Sequence, residues 1–252
     1  MEKFYDGFDF DICSVAVRYG QYDGKIDYKQ IASLEENERN KVVDGLVEEF
    51  NQKKDETGFF GNKDTIYINR FLGNSFRIND NEIYHLFFKK LSDNLKTLKD
   101  QKTGTVVMLT IRETVFDYLG KFNGDFKKRF DLTSAFYDDD DNYIIPSIKD
   151  LKNKNASACV EYASIAHNLW LLTGVKSYYI MSKDTKFPNS TDGHAFVVVE
   201  YGKKHRLFDL AQDIGGTINN NPIELFENKK PLIVNGMIYV NAKYADDSEM
   251  GK

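Results

Sequence analysis

After Asn155 the sequence changes texture: a helical run from about Ser157 to Thr173 is closed by Gly174 and followed by short strand-like segments separated by Gly, Asn and Pro. This order constrains the fold more than any other feature of the chain. Within the run, Tyr162, Ile165, Ala166, Leu169 and Trp170 recur at steps of three and four, an apolar face to press against a sheet. The helix is therefore predicted to be a core element whose N-terminus opens on a cleft.

Three residues in and beyond this helix carry chemistry. Asn155 or Ser157 suits the N-cap, which puts Cys159 in the first turn. The unpaired N–H groups and the positive end of the helix dipole favour a thiolate there, and the same N–H groups are placed to hold an oxyanion. Downstream, "HAFVVVE" and "KKHRLFDL" read as two strands of a hairpin joined at Tyr201-Gly202. With that loop Glu200 pairs with Lys203, Val198 with His205 and Phe196 with Leu207, and His194 falls directly opposite Asp209. A three-residue loop shifts every partner by one and separates the two. The spacing thus predicts Cys159 as nucleophile, His194 as the group that takes and returns its proton, and Asp209 as the carboxylate that orients the imidazole. The Cys159 helix is expected to cover the face that His194 and Asp209 share with Phe196 and Val198.

The stretch from about Asn153 to Ala211 resembles the transglutaminase-like branch of the papain-type cysteine enzymes. The resemblance rests on Ala158-Cys159, Tyr162-Ala163, Gly174, the strand "VKSYYIMS", Gly193-His194-Ala195-Phe196 and Phe208-Asp209, in that order. The chain departs where the family commonly has Gly shortly before the Cys and Trp after the His-Ala pair; here stand Ser157-Ala158 and Phe196. The resemblance implies an α+β fold with the nucleophile helix packed on an antiparallel sheet, a Cys159, His194, Asp209 triad and a thioester intermediate. It implies acyl transfer on a carboxamide or peptide bond of a protein or peptide substrate, by transamidation, deamidation or proteolysis. The family's upstream oxyanion donor has Asn153 and Asn155 as its nearest candidates. Two other readings stay open: an arylamine N-acetyltransferase-like enzyme, which shares the triad order and a Cys-then-Glu helix (here Cys159 and Glu161), and an inactive binding protein of the same fold.

Upstream, residues 1–150 read as a mainly helical region, either a substrate-selecting unit or part of one enlarged domain with the core at 151–252. Val15-Ala16-Val17 looks like a strand. Val42, Val43, Leu46, Val47 and Phe50 mark an amphipathic helix between about Ser33 and Thr57, with a turn at Gly58 to Asn62 and a short strand at Thr65 to Asn69 after it. Asp80 starts a second helix carrying Ile83, Leu86, Phe87, Leu91, Leu95 and Leu98 to about Asp100. A third run, Thr105 to Phe122, is helical by length, yet Val106, Val107, Thr110 and Ile111 leave strand open for its first half.

Composition narrows the partners. A net charge of −5 offers no field for nucleic acid or anionic membrane, and no apolar stretch is long enough to span a bilayer. The opening residues lack the basic start and apolar run of an export signal, so a cytoplasmic location is expected, with a dedicated secretion system as the other route. Cys13 and Cys159, with four scattered His, have no metal-ligand spacing, and no phosphate loop is present, so neither metal nor cofactor is expected. Cys13 reads as a small buried hydrophobe, and Asp138 to Asp141 as a solvated loop, since it lacks the alternating acids and turn Gly of a calcium loop. His85, His167 and His205 read as structural.

Overall fold

The computed structural model of the chain describes residues 15–20, 27–56, 80–122, 148–187, 190–201, 204–218, 232–234 and 237–241. Its helices are α1 (Tyr28–Ser33), α2 (Glu36–Glu56), α3 (Asn81–Thr97), α4 (Thr103–Leu119), α5 (Ile148–Asn153) and α6 (Cys159–Leu172). Its strands are β1 (Val15–Gly20), β2 (Lys176–Phe187), β3 (Ser190–Tyr201), β4 (Lys204–Asp209), β5 (Ile214–Ile218), β6 (Leu232–Val234) and β7 (Met237–Asn241). The architecture is α+β. Cys13, the turn at Gly58 to Asn62, the short strand at Thr65 to Asn69 and the acidic run Asp138 to Asp141 lie outside the described residues.

Local chemistry explains the helices. Asp80 caps α3 by accepting the Glu82 N–H at 3.1 Å, and its other oxygen accepts the Tyr118 hydroxyl from α4 at 2.6 Å. From that start Ile83, Phe87 and Leu91 fall on one buried stripe. On α2, Val43 and Val47 are buried while Val42 is 41% exposed, so the apolar stripe is narrower than the sequence pattern implied. The β-branched run at Val106 to Ile111 is helical throughout. Its β-branched residues are buried, and the Thr110 and Thr114 hydroxyls donate back to the carbonyls of Val106 and Thr110 at 2.8 and 2.7 Å. Packing has overridden a weak local preference.

The nucleophile helix departs from the amphipathic picture: every residue from Glu161 to Leu172 is buried. It touches α4 as well as β2 and β3, so apolar residues are needed all round and the polar ones are tied locally. Asn168 donates to the Ser164 carbonyl at 2.9 Å, and His167 Nδ1 bonds the Ser177 hydroxyl of β2 at 2.8 Å. Gly174, at φ +76, follows the helix end. One hydrophobic cluster runs from Ile31 and Val43 through Phe87 and Ile111 to Leu169, Val197 and Phe208. Helical layer and sheet therefore share a core.

All pairings in the sheet are antiparallel, in the order β5-β4-β3-β2-β7-β6, with β1 also pairing β2. Strand β1 lies along Ser177 to Ser182, so the start of the chain adds a strand to this sheet. The β3–β4 register corrects the hairpin expectation. Tyr201 pairs with Lys204, Glu200 with His205 and Val198 with Leu207, two residues away from the partners expected of a Tyr201-Gly202 loop. Because the shift is even, every side chain keeps its face. His194 and Asp209 are consequently not directly opposite: they are diagonal neighbours on one face, a rung apart.

Which face the helix covers is a second correction. Trp170 of α6 stacks edge-on against Phe208 at 5.5 Å and His167 against Tyr179 at 6.0 Å, placing α6 over Tyr179, Ala195, Val197, Val199 and Phe208. Alternation puts Tyr178, Ile180, Phe196, Val198 and Leu207 on the other face, where they are also buried.

Candidate functional site

Cys159 is the first residue of α6 and is 5% exposed. The N-cap is Ala158, extended at φ −115 and ψ 179, rather than Asn155 or Ser157. Alanine has no side-chain acceptor, so the cap is built from the other direction: the Glu161 carboxylate accepts the Ala158 N–H at 2.7 Å. Asn153 and Asn155 are both exposed, and Asn155 has the left-handed φ of 56 that turns the chain between α5 and α6. Neither shares the buried setting of the thiol.

The sheet supplies the other two residues. His194 Nε2 and Asp209 Oδ2 are 2.8 Å apart, with the two side chains 4% and 0% exposed, and Asp209 Oδ1 accepts the Gln212 N–H at 3.2 Å. The imidazole stacks on Phe196 at 6.0 Å, which places it on the face turned away from the body of α6. The Cys159 side chain nevertheless contributes to its electrostatics, so the thiol lies near the ring. The last β3–β4 pair is Val197 with Phe208, and β2 carries a bulge between Ser182 and Thr185 beside His194. The ladder has thus opened where the tip of α6 meets the ring. Nε2 is the ring nitrogen committed to Asp209.

Burial alone pushes the His194 imidazole below its usual value, but the charge of Asp209 and its hydrogen bond, with a smaller contribution from Cys159, outweigh burial and raise it to about 10. The site holds its proton on the ring. Cys159, His194 and Asp209, named from the sequence, are placed near one another by three separate elements: the tip of α6, β3 beyond its last pair with β4, and the end of β4.

No family model, curated protein or solved structure matches this chain. The site's chemistry rests on its own geometry. Among the described residues no group of three or more His, Cys, Asp or Glu is arranged to hold a metal ion, and no helix is long and apolar enough to cross a membrane. A groove between α2 and α3, lined by Arg39, Asn40, His85 and Lys89 among others, contains none of the three residues. His85 is held there by Asp44 at 2.9 Å, and His205 sits beside Tyr178 with its Nε2 3.9 Å from Glu200.

The helical layer also reaches the site. Tyr162 donates its hydroxyl to the Gly120 carbonyl at 2.8 Å and packs edge-on against Phe122 at 5.6 Å, tying the end of α4 to the turn of α6 that follows Cys159. Burial, then the nearby Glu161 charge, push the Tyr162 phenol up to about 12, so it stays a donor. Arg112 of α4 grips Asp213, in the turn after Asp209, through two bonds of 2.7 and 2.6 Å. Sequence reasoning missed this pair, since no local pattern links residues 101 positions apart. Both partners are more than a third exposed, at 37% and 47%, so water screens the attraction. Arg112→Ala is expected to cost no more than about 1 kcal/mol in urea unfolding, with the slope against urea unchanged.

Proposed function

We propose that the chain is a cysteine-dependent acyl-transfer enzyme of the transglutaminase-like type, acting on the carboxamide or peptide bonds of a protein or peptide. The observation that carries this reading is the grouping of Cys159, His194 and Asp209, with the thiol at a helix tip near an imidazole that bonds the carboxylate at 2.8 Å and is held in its protonated form. A helix-borne thiol over an antiparallel sheet that carries the His and the acid supports the papain/transglutaminase-like core.

In the reaction the thiol proton already sits on His194 Nδ1, and Cys159 Sγ attacks the carbonyl carbon as the thiolate. The oxyanion forms beside the Cys159 N–H at the start of α6. As the C–N bond breaks, the imidazolium proton passes to the leaving ammonia or amine, leaving a thioester on Cys159. Water or an amine then gives its proton to His194 and attacks the thioester, and Cys159 leaves as the thiolate with the proton kept on the imidazole. Asp209 keeps Nε2 protonated and the ring turned throughout.

An activated acyl donor tests this without knowledge of the substrate. With p-nitrophenyl acetate the protein is expected to release one equivalent of nitrophenol per chain in a burst, and to carry an acetyl group on Cys159 by mass spectrometry. Cys159→Ser should lose the burst. A burst of the same size in Cys159→Ser, or an acetyl group found elsewhere, overturns the reading.

A further inference from the structure

We infer that Glu161 is a positioning residue of this site, acting through the amide of Ala158 to leave the Cys159 N–H for the oxyanion. The inference rests on the acyl-transfer reading and adds a residue that reading does not need. Glu161 is wholly buried, and burying a carboxylate is costly unless its bonds do specific work. Its Oε2 sits 2.7 Å from the Ala158 nitrogen, a short charge-assisted contact.

A carboxylate at the third position of a helix has other donors within reach, because the first N–H groups of the helix lack intrahelical acceptors. Here it turns back past Cys159 to the residue before it. The Ala158 carbonyl in turn accepts the Glu161 N–H at 3.0 Å and the Tyr162 N–H at 3.5 Å. Ala158 is thus fixed from both its amide and its carbonyl, while the Cys159 N–H makes no hydrogen bond among the described residues. The clamp sets the extended N-cap from which the thiol and its amide both project. A Ser or Asp N-cap would have competed for the N–H groups of the first turn through its own side-chain oxygen; Ala158 cannot.

Two rates separate this role from mere support of the fold. Acylation by p-nitrophenyl acetate passes through an oxyanion, whereas alkylation by iodoacetamide does not. Glu161→Ala is expected to slow the acylation burst by roughly tenfold or more, as for a misplaced oxyanion donor. Its rate of Cys159 alkylation should stay within about threefold of wild type, since thiol and imidazole remain in place. Glu161→Gln keeps an acceptor oxygen at the same reach and should restore the burst. An unchanged burst in Glu161→Ala, or both rates falling together while Glu161→Gln fails to restore the burst, overturns the positioning role. If wild type and Cys159→Ser show the same burst, it is the acyl-transfer reading that falls, and this inference falls with it.

Discussion

His194→Gln is expected to alkylate with iodoacetamide at Cys159 about tenfold more slowly than wild type at pH 5.5, with the gap closing towards pH 8. A thiol of ordinary pKa near 8.5 is only about one part in a thousand thiolate at pH 5.5. The proposed acyl transfer requires His194 to supply the thiolate at that pH. The gain in reactivity is smaller than the gain in thiolate, because nucleophilicity falls with basicity with a Brønsted slope of about 0.4–0.5, and this reduces a thousandfold advantage to about tenfold. At pH 8 an ordinary thiol is already substantially ionised, and the advantage fades.

Glutamine suits the comparison better than alanine. It fills much of the ring's volume and donates to Asp209, so the carboxylate 2.8 Å away is not stranded, and no cavity opens a new path to a thiol that is 5% exposed. Equal labelling of the two proteins at pH 5.5 would show that His194 does not activate the thiol. The raised imidazole would then be a buried structural ion pair with Asp209.

The parts of this site that were legible in the sequence are those set by local chemistry. Helix α6, its Gly174 terminator and the cysteine in its first turn follow from periodicity and capping rules, as does α3 behind Asp80. The N-cap was misassigned because Asn155 and Ser157 are good cap formers, whereas the structure caps with Ala158 through Glu161, a signal carried by the acid three residues on. Hairpin register was off by two. The rule that Gly takes the first central place of a tight two-residue turn favours Gly202-Lys203 over Tyr201-Gly202, in keeping with Tyr201 pairing Lys204. An even slip preserves faces, so His194 and Asp209 still met, diagonally instead of directly.

Other features depend on contacts that no local pattern encodes. The covering of α6 on every side, its placement on the face away from Phe196 and the docking of β1 along β2 are all settled by long-range packing. Helix α5 has only six residues, too few for a periodicity to register.

Asp209→Asn is expected to be the most destabilising single change at the site, costing about 3–5 kcal/mol in urea unfolding at pH 6. Asparagine keeps the volume and an acceptor for the Gln212 N–H, but it leaves the buried His194 imidazolium without its counter-charge. The ring escapes that cost only by losing its proton.

The pH dependence has a definite sign. An unfolded histidine titrates near 6.5, whereas the folded His194 is raised to about 10, chiefly by Asp209 acting against burial. Between those values the folded chain holds a proton that the unfolded chain has released. The stabilisation from His194 is therefore full below pH 6.5 and declines as pH rises, by at most about 1.4 kcal/mol per pH unit.

A thiol in the unfolded chain also titrates near 8.5, and the contact between Cys159 and His194 couples the two protons, so the measurement belongs in a Cys159→Ser background. There, stability should fall from pH 6.5 to 8.5. Adding Asp209→Asn should abolish the fall and turn it into a rise between about pH 6 and 7, because burial alone favours the neutral ring. The same downward slope with and without Asp209→Asn would mean that another group holds the proton. The orienting role given to Asp209 would then have no electrostatic basis.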